Sequence, residues 1–220
     1  SSVSLEIEST GVRIIIGAVN TIKLDGDKLN GYNTDGRGFS ESLKRDAHEN
    51  VKGRSVVILG AGGAARAIAI QITLEGAERI VIANRTIERE EKLAGYINAR
   101  CKVQSAKCKI KTVSLKDNSL VEYFREADII INTTPVGMKG YNQPLFAYDY
   151  ISDRHLVCDI VYRPLETELL KEADKRGART LNGLGMLVYQ GSLSFKIWTG
   201  YEMPLEVVKK TLMEELRNDK

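Results

Sequence analysis

Gly60-Ala61-Gly62-Gly63-Ala64-Ala65 stands between an apolar run, residues 55–59, and an Ala-rich stretch, residues 64–74. Gly60, Gly62 and Ala65 fit the G-x-G-x-x-G/A spacing of a dinucleotide-binding turn. Each position has a chemical reason. Gly60 permits a sharp turn out of the strand, Gly62 lets a pyrophosphate approach the backbone, and Ala65 lets the helix pack close to the strand. The free N–H groups of Gly63 and Ala64 at the helix start then hold the phosphates. After the second strand the chain reads Ala83-Asn84-Arg85-Thr86, with no acid to accept from the ribose hydroxyls of NAD. Arg85 is placed to pair with the 2′-phosphate of NADP, and Asn84, Thr86 and Arg89 add donors. NADP is therefore the cofactor expected. The same residues also fit a tight turn without ligand and a solvated Arg at a helix start.

These residues need strands and helices to position them. Residues 55–59, 78–83, 128–132 and 156–161 are short apolar runs, as expected of strands buried on both faces. Helical patterns fall at 64–74, 86–99, 117–127 and 166–176, and a short strand at 178–181. Strands alternating with helices imply an α/β fold, a Rossmann-like doubly wound parallel sheet. Upstream, residues 12–24 are rich in Val, Ile and Ala, and Asp25-Gly26-Asp27 marks a hairpin turn before residues 29–32. Gly36 and Gly38 are expected to loosen the chain before a short polar helix that runs through residue 47. Residues 101–115 give only a weak signal. Near the end, residues 184–198 are apolar nearly all round and should be buried. Pro204 opens a last helix with Leu205, Val208, Leu212 and Leu216 as its stripe, and Glu206, Lys209 and Lys210 off it.

Further stretches are hard to explain by packing alone. They are Gly17-Ala18-Val19-Asn20-Thr21, Gly31-Tyr32-Asn33-Thr34-Asp35-Gly36 and the run from Asn182 to Gly191, which includes Tyr189-Gln190-Gly191. Together with the glycine turn, Asn84-Arg85-Thr86, Asn132-Thr133-Thr134-Pro135-Val136-Gly137-Met138 and Asp159-Ile160-Val161-Tyr162-Arg163-Pro164, they closely resemble the shikimate dehydrogenase family. The resemblance implies reduction of 3-dehydroshikimate to shikimate with NADPH, on the route to aromatic amino acids. It implies a substrate domain, a cofactor domain and an active site in the cleft between them. It further implies that Asn20 binds substrate hydroxyls and that Asp35 is the carboxylate of a catalytic Lys–Asp pair. Tyr162 and Gln190 would also touch shikimate, and Ile160 and Gly183 would lie beside the nicotinamide. A small polyol carboxylate does need convergent amides, hydroxyls and a carboxylate, and Asn20, Asp35, Tyr162 and Gln190 are suitable types. Taken singly, Asn20 and Asp35 also suit turn caps, Tyr162 a half-buried ring beside Pro164, and Gln190 a polar residue on a buried helix.

The family's Ser-x-Ser and Asn-Val-Thr-x-Pro-x-Lys segments are absent, and the second carries its acid–base Lys. Lys23 and Lys28 stand outside that motif and take no role. Residues 1–50 are expected to be a remnant of the substrate domain, 51–182 the NADP-binding domain, and 183–220 helices packing back toward the substrate side. The Ser-Ser start fits a truncated chain. Without the Lys, activity is expected to be absent or very slow, since general acid–base help is worth about a hundred- to ten-thousandfold. The open strand edge of the early hairpin is expected to pair with a second copy as a homodimer. Two alternatives remain, a quinate/shikimate dehydrogenase and a non-catalytic NADP-binding module. A glutamyl-tRNA reductase shares the glycine turn but lacks the Gly-Ala-Val-Asn-Thr and Tyr-Gln-Gly matches.

Composition agrees with a globular protein. Of 220 residues, 43% are hydrophobic and 28% charged, and the net charge of +3 is too mild to argue for nucleic acid or a membrane surface. Three cysteines, Cys101, Cys108 and Cys158, in no C-x-x-C spacing, suit free thiols in a reducing cytoplasm. His48 and His155 have no metal-ligand cluster around them, so no metal is expected.

Overall fold

The computed structural model describes residues 7–9, 12–14, 18–85, 91–97, 108–141 and 143–218. Two hairpins lead. β1 (Ile7–Ser9) pairs antiparallel with β2 (Val12–Ile14), and β3 (Thr21–Asp25) with β4 (Lys28–Tyr32). Asp25 faces Lys28, so Gly26 and Asp27 form a two-residue loop, with Gly26 at φ 58. The Asp-Gly signal thus locates the turn, while the apolar run before it splits into two separate strands.

Six parallel strands then build one sheet: β5 (Ser55–Leu59), β6 (Arg79–Asn84), β7 (Lys109–Ser114), β8 (Ile129–Asn132), β9 (Leu156–Asp159) and β10 (Arg179–Leu181). Their spatial order is β10-β9-β8-β5-β6-β7. β7 is the strand that residues 101–115 left undefined. Its alternation of Lys109 and Lys111 with less exposed neighbours suits an edge, where lysines discourage pairing with another sheet. Cys101 lies outside the described residues, and Cys108 and Cys158 are not joined in a disulfide among the described residues.

The strands read as continuous apolar runs because alternate residues feed two cores. Val56, Ile58, Ile80, Ile82, Ile129 and Ile131 pack on one face against α2 (Gly63–Leu74), α1 (Asp35–Arg45) and residues 91–97, which are helical and become α3. Val57, Leu59, Val81, Ile130 and Val157 pack on the other, against α4 (Leu120–Glu126) and α5 (Glu168–Lys175). His155 is buried in this layer. It accepts from Ser152 N at 2.9 Å on Nδ1, and its Nε2 lies 2.9 Å from the Phe124 carbonyl. It is a satisfied core residue.

Gly36 and Gly38 do not loosen the chain. They lie inside α1, which begins at Asp35 and ends at Arg45 rather than at 47. A Cβ at Gly36 would stand 2.5 Å from the Ala67 carbonyl oxygen, and one at Gly38 2.6 Å from Gln190 Cβ and 2.7 Å from its backbone nitrogen. The glycines allow α1 to press against α2 and against α6 (Leu184–Thr199). Gly38→Ala is therefore expected to cost about 1–3 kcal/mol of stability, since backbone stands where the methyl must go. A thermal melt checks the prediction, with an unchanged midpoint as the outcome against it.

Two further expectations change. α6 is buried in its first half, through Leu184, Met186, Val188 and Tyr189, but Trp198 near its end is 55% exposed. Its indole N–H donates to the Ile22 carbonyl at 2.8 Å, which ties α6 to β3. On α7 (Leu205–Asn218), Leu205, Val208, Leu212 and Leu216 are only partly buried, and Lys209 is partly buried beside them rather than solvated. Its ammonium pairs with Asp46, which also accepts from Tyr189 Oη at 3.1 Å and Ser42 Oγ at 3.0 Å. Asp46 thereby joins α1, α6 and α7. The strand expected over 156–161 ends at Asp159, which frees Ile160 to Tyr162 to enter a loop.

Candidate active site

The chain runs β5-β6-β7 outward to one edge, then returns through α4 to place β8 on the other side of β5. At such a reversal the loops after the two central strands diverge and leave a crevice at the strands' C-terminal ends. The glycine turn follows β5, and Thr133-Thr134-Pro135 follows β8. They touch closely. Gly60 has φ 107, and a Cβ there would stand 2.7 Å from Thr133 Oγ1. Thr133 Oγ1 also donates to the Leu59 carbonyl at 2.6 Å.

Gly60, Ala61, Gly62, Gly63 and Ala64 make the turn and the first residues of α2. Among the described residues a Cβ at Gly62 would meet nothing within 4 Å, which leaves that side of the turn open for a ligand to approach the backbone. The Ala65 methyl is fully buried against the sheet. These features fit a dinucleotide phosphate group. On the neighbouring strand, Asn84 is half-buried at the end of β6 and Arg85 is exposed just beyond it. Thr86 and Arg89 lie outside the described residues.

The residues expected to bind substrate converge beside the turn. A cavity of about 270 Å³ is lined by Asn20, Asp35, Tyr162 and Gln190 together with Ala64, Ile160 and Gly183. Met186 and Leu187 complete its wall. Asn20 immediately precedes β3, Asp35 is the first residue of α1, and Gln190 lies two turns into α6. Gly183 makes the convergence possible. A Cβ there would fall 2.0 Å from the Ile160 carbonyl oxygen, and its N–H donates to the Val161 carbonyl at 3.1 Å.

Asn20 is the hub. Its Nδ2 donates to Asp35 Oδ1 at 2.7 Å and to Thr34 Oγ1 at 2.8 Å, and reaches Gln190 Oε1 at 3.3 Å. Its Oδ1 accepts from Thr34 N and Thr21 Oγ1, both at 3.0 Å. Thr34 Oγ1 in turn lies 3.1 Å from Ser194 Oγ, which is 2.6 Å from Thr21 Oγ1. The Thr34 N–H, which can only donate, and the Asp35 carboxylate, which accepts, fix which way the Asn20 amide points, and the buried hydroxyls adapt to it. The sequence reading gave Thr34 and Ser194 no role. Ser194 follows Gln190 by four residues, so helical spacing alone puts both on one face.

Burial raises the Asp35 carboxyl above the ordinary carboxylate range, and the hydrogen bond from Asn20 opposes that rise. Asn20→Ala removes the opposing donor, so the Asp35 pKa is expected to move further upward. An NMR titration of the carboxyl carbon checks the direction, and a downward or absent shift would contradict it.

A second, larger cavity of about 920 Å³ adjoins the first and shares Ile160 and Tyr162 with it. Its walls are the loop after β8, Thr133 to Lys139, and the loop after β9, Ile160 to Pro164. Between the two loops sits Asp159, 1% exposed. Burial pushes its carboxyl up to about 6, against the hydrogen bonds from Thr167, Val161 and Asn132.

The parallel sheet, the strand reversal and the glycine turn define a Rossmann-type dinucleotide-binding protein whose crevice opens onto a small pocket with a few convergent polar side chains. Comparison with known proteins narrows the class. Residues 42–139 match a model described as shikimate/quinate 5-dehydrogenase, and residues 183–213 match the shikimate 5′-dehydrogenase C-terminal domain. Shikimate dehydrogenase (NADP(+)) of Methanopyrus kandleri is 43% identical over 205 residues, covering 92% of this chain and 69% of the relative. The structure of shikimate 5-dehydrogenase from Listeria monocytogenes, in complex with shikimate and NAD, aligns with TM-score 0.81 and 39% identity. It covers 90% of this chain and 68% of that one. Shikimate 5-dehydrogenase from Thermus thermophilus, in complex with NADP(H) and shikimate, aligns with TM-score 0.76 and 33% identity, covering 90% and 69%. The chain belongs to the shikimate dehydrogenase family.

Proposed function

We propose that this protein reduces 3-dehydroshikimate to shikimate with NADPH, and catalyses the reverse oxidation. One observation carries the reading: an amide–carboxylate cluster of Asn20, Asp35 and Gln190 lines the same cavity as Ile160, Gly183 and Ala64, next to the phosphate-type turn. A nucleotide lying along the crevice and a polyol in this pocket would then be neighbours. The names of the matched relatives agree with both ligands.

In this reading Gly60 to Ala64 hold the pyrophosphate with backbone N–H groups, and Asn84 and Arg85 hold the 2′-phosphate. Thr86 and Arg89 add donors in the same proposal. Ile160 and Gly183 flank the nicotinamide. NADPH, when bound, supplies the hydride that the ketone carbon accepts. Asn20, Tyr162 and Gln190 orient the substrate hydroxyls. Asp35 is the carboxylate that stands by the proton exchanged at the reacting oxygen, and burial holds its pKa nearer to neutrality than a solvated Asp. Residues 51–182 form the cofactor side, and residues 1–50 with 183–220 the substrate side.

The protein is proposed to act in the cytoplasm. Among the described residues no helix is long and apolar enough to cross a membrane. A homodimer is proposed through the β3–β4 hairpin, where Ile22, Leu24 and Leu29 are more than half exposed. A sedimentation coefficient that stays monomeric across concentration would count against it.

The central test pairs two measurements on this chain: calorimetric titration with NADP and with NAD, and NADPH formation with shikimate and with quinate. Tighter binding of NADP than NAD and preferential turnover of shikimate support the reading. Equal turnover of quinate would favour a quinate/shikimate dehydrogenase. Because no Asn-Val-Thr-x-Pro-x-Lys motif stands in this sequence, slow or absent turnover beside selective NADP binding agrees with the reading, whereas failure to bind either cofactor would overturn it.

A further inference from the structure

We propose that Asp159 is a positioning residue for the nicotinamide half of the cofactor, holding at a fixed separation the two loops that wall the larger cavity. The inference rests on the NADP reading above and adds to it a residue that faces neither ligand. Asp159 is the last residue of β9, and its carboxylate binds three separate pieces of chain. Oδ1 accepts from Asn132 Nδ2 and from Val161 N, each at 3.0 Å, and Oδ2 accepts from Thr167 Oγ1 at 2.7 Å.

Each bond fixes something different. Asn132 ends β8, and with its Nδ2 held by Asp159 its Oδ1 must face the other way. There it accepts from Thr134 N at 3.0 Å and Thr134 Oγ1 at 2.7 Å, while Nδ2 also donates to the Val136 carbonyl at 3.0 Å. The turn from Thr133 to Val136 is thus organised by an amide whose orientation Asp159 sets. An ionised carboxylate only accepts, so it permits a single orientation of that amide. Val161 lies between Ile160 and Tyr162, and its bond aims the loop that separates the two cavities. Thr167 caps α5 by accepting from Leu170 N, and so the helix start is tied to the same carboxylate. Gly137 closes over this group, since a Cβ there would lie 2.9 Å from Thr167 Cγ2 and 3.5 Å from Asp159 Oδ2.

The glycine turn and Arg85 belong to the other half of the crevice, along β5 and β6. The two halves can therefore be tested separately. Adenosine 2′,5′-bisphosphate probes the Arg85 side, and NADP probes both. By calorimetry, Asp159→Ala, which takes the acceptor from Val161 N and Thr167 Oγ1 and one of two acceptors from Asn132 Nδ2, is expected to weaken NADP about tenfold or more, while the bisphosphate stays within about twofold. Thr167→Val, which removes a single hydroxyl, should lose NADP affinity in the same direction by a smaller factor. Asp159→Asn keeps one oxygen for Asn132 and Val161 and should recover most of the affinity. Unchanged NADP binding in Asp159→Ala and Thr167→Val would overturn the proposal. So would parallel loss of NADP and the bisphosphate in both variants, because that reports general damage to the fold. Failure of the wild-type chain to bind either probe would instead overturn the NADP reading, and this inference with it.

Discussion

Gly62→Val is expected to abolish binding of NADP and NAD alike, by about a hundredfold or more, while leaving the fold in place. The reason lies in what surrounds the position. Gly62 has φ −84 and ψ −167, which any residue adopts, so valine meets no backbone strain. Among the described residues a Cβ there would find no atom within 4 Å. Valine is therefore expected to obstruct a ligand that approaches the open side of the turn. Valine is a poorer helix cap than glycine, so a melting midpoint slightly below wild type is consistent with the prediction. Calorimetric titration with both cofactors decides it. Full retention of binding would mean that no pyrophosphate rests on this turn.

Arg85→Ala should behave differently. NADP binding is expected to weaken about tenfold to a hundredfold, the range of a charge-assisted hydrogen bond lost, with NAD binding unchanged within about twofold. The two cofactors differ only in the 2′-phosphate, and the exposed end of β6 offers Asn84 and Arg85 there rather than an acid. The selectivity ratio is therefore the informative quantity. A parallel loss of both cofactors would assign Arg85 to the pyrophosphate or to the fold. Together the two substitutions separate a site for the shared part of the cofactors from a site for the part they do not share. The complex of the Listeria relative with NAD makes this comparison pertinent, since its fold aligns closely with the present one.

The pocket beside the turn depends on packing more than on its own residues. Asn20 and Gln190 are 170 residues apart and meet because α6 lies against α1. That contact in turn requires Gly38, where a methyl would collide with Gln190 itself. A stability variant such as Gly38→Ala thus also bears on the shape of this pocket. Asp46 reinforces the same packing from below, binding Ser42 on α1, Tyr189 on α6 and Lys209 on α7.

Features with local causes were legible from the chain alone. The apolar runs at 55–59 and 128–132 specify buried strands because both faces must be covered. The glycine spacing specifies the turn, Asp25-Gly26 specifies a two-residue hairpin loop, and the absence of an acid after β6 is read directly. Asn20, Asp35, Tyr162 and Gln190 were legible as a set only through motifs distributed along the chain. β7 was not legible, because an edge strand with alternating lysines carries half the apolar signal of a central one. The roles of Gly36 and Gly38 emerged from packing, since a glycine that loosens a loop and one that admits a neighbouring helix look alike in sequence. Packing likewise turns Lys209 inward to Asp46, brings Thr34 and Ser194 into the hydrogen-bond network around Asn20, and places Asp159 between two loops. Each of these depends on which distant backbone comes within a few ångströms, a distance set by how whole elements pack and not by the residue's own neighbours in the chain.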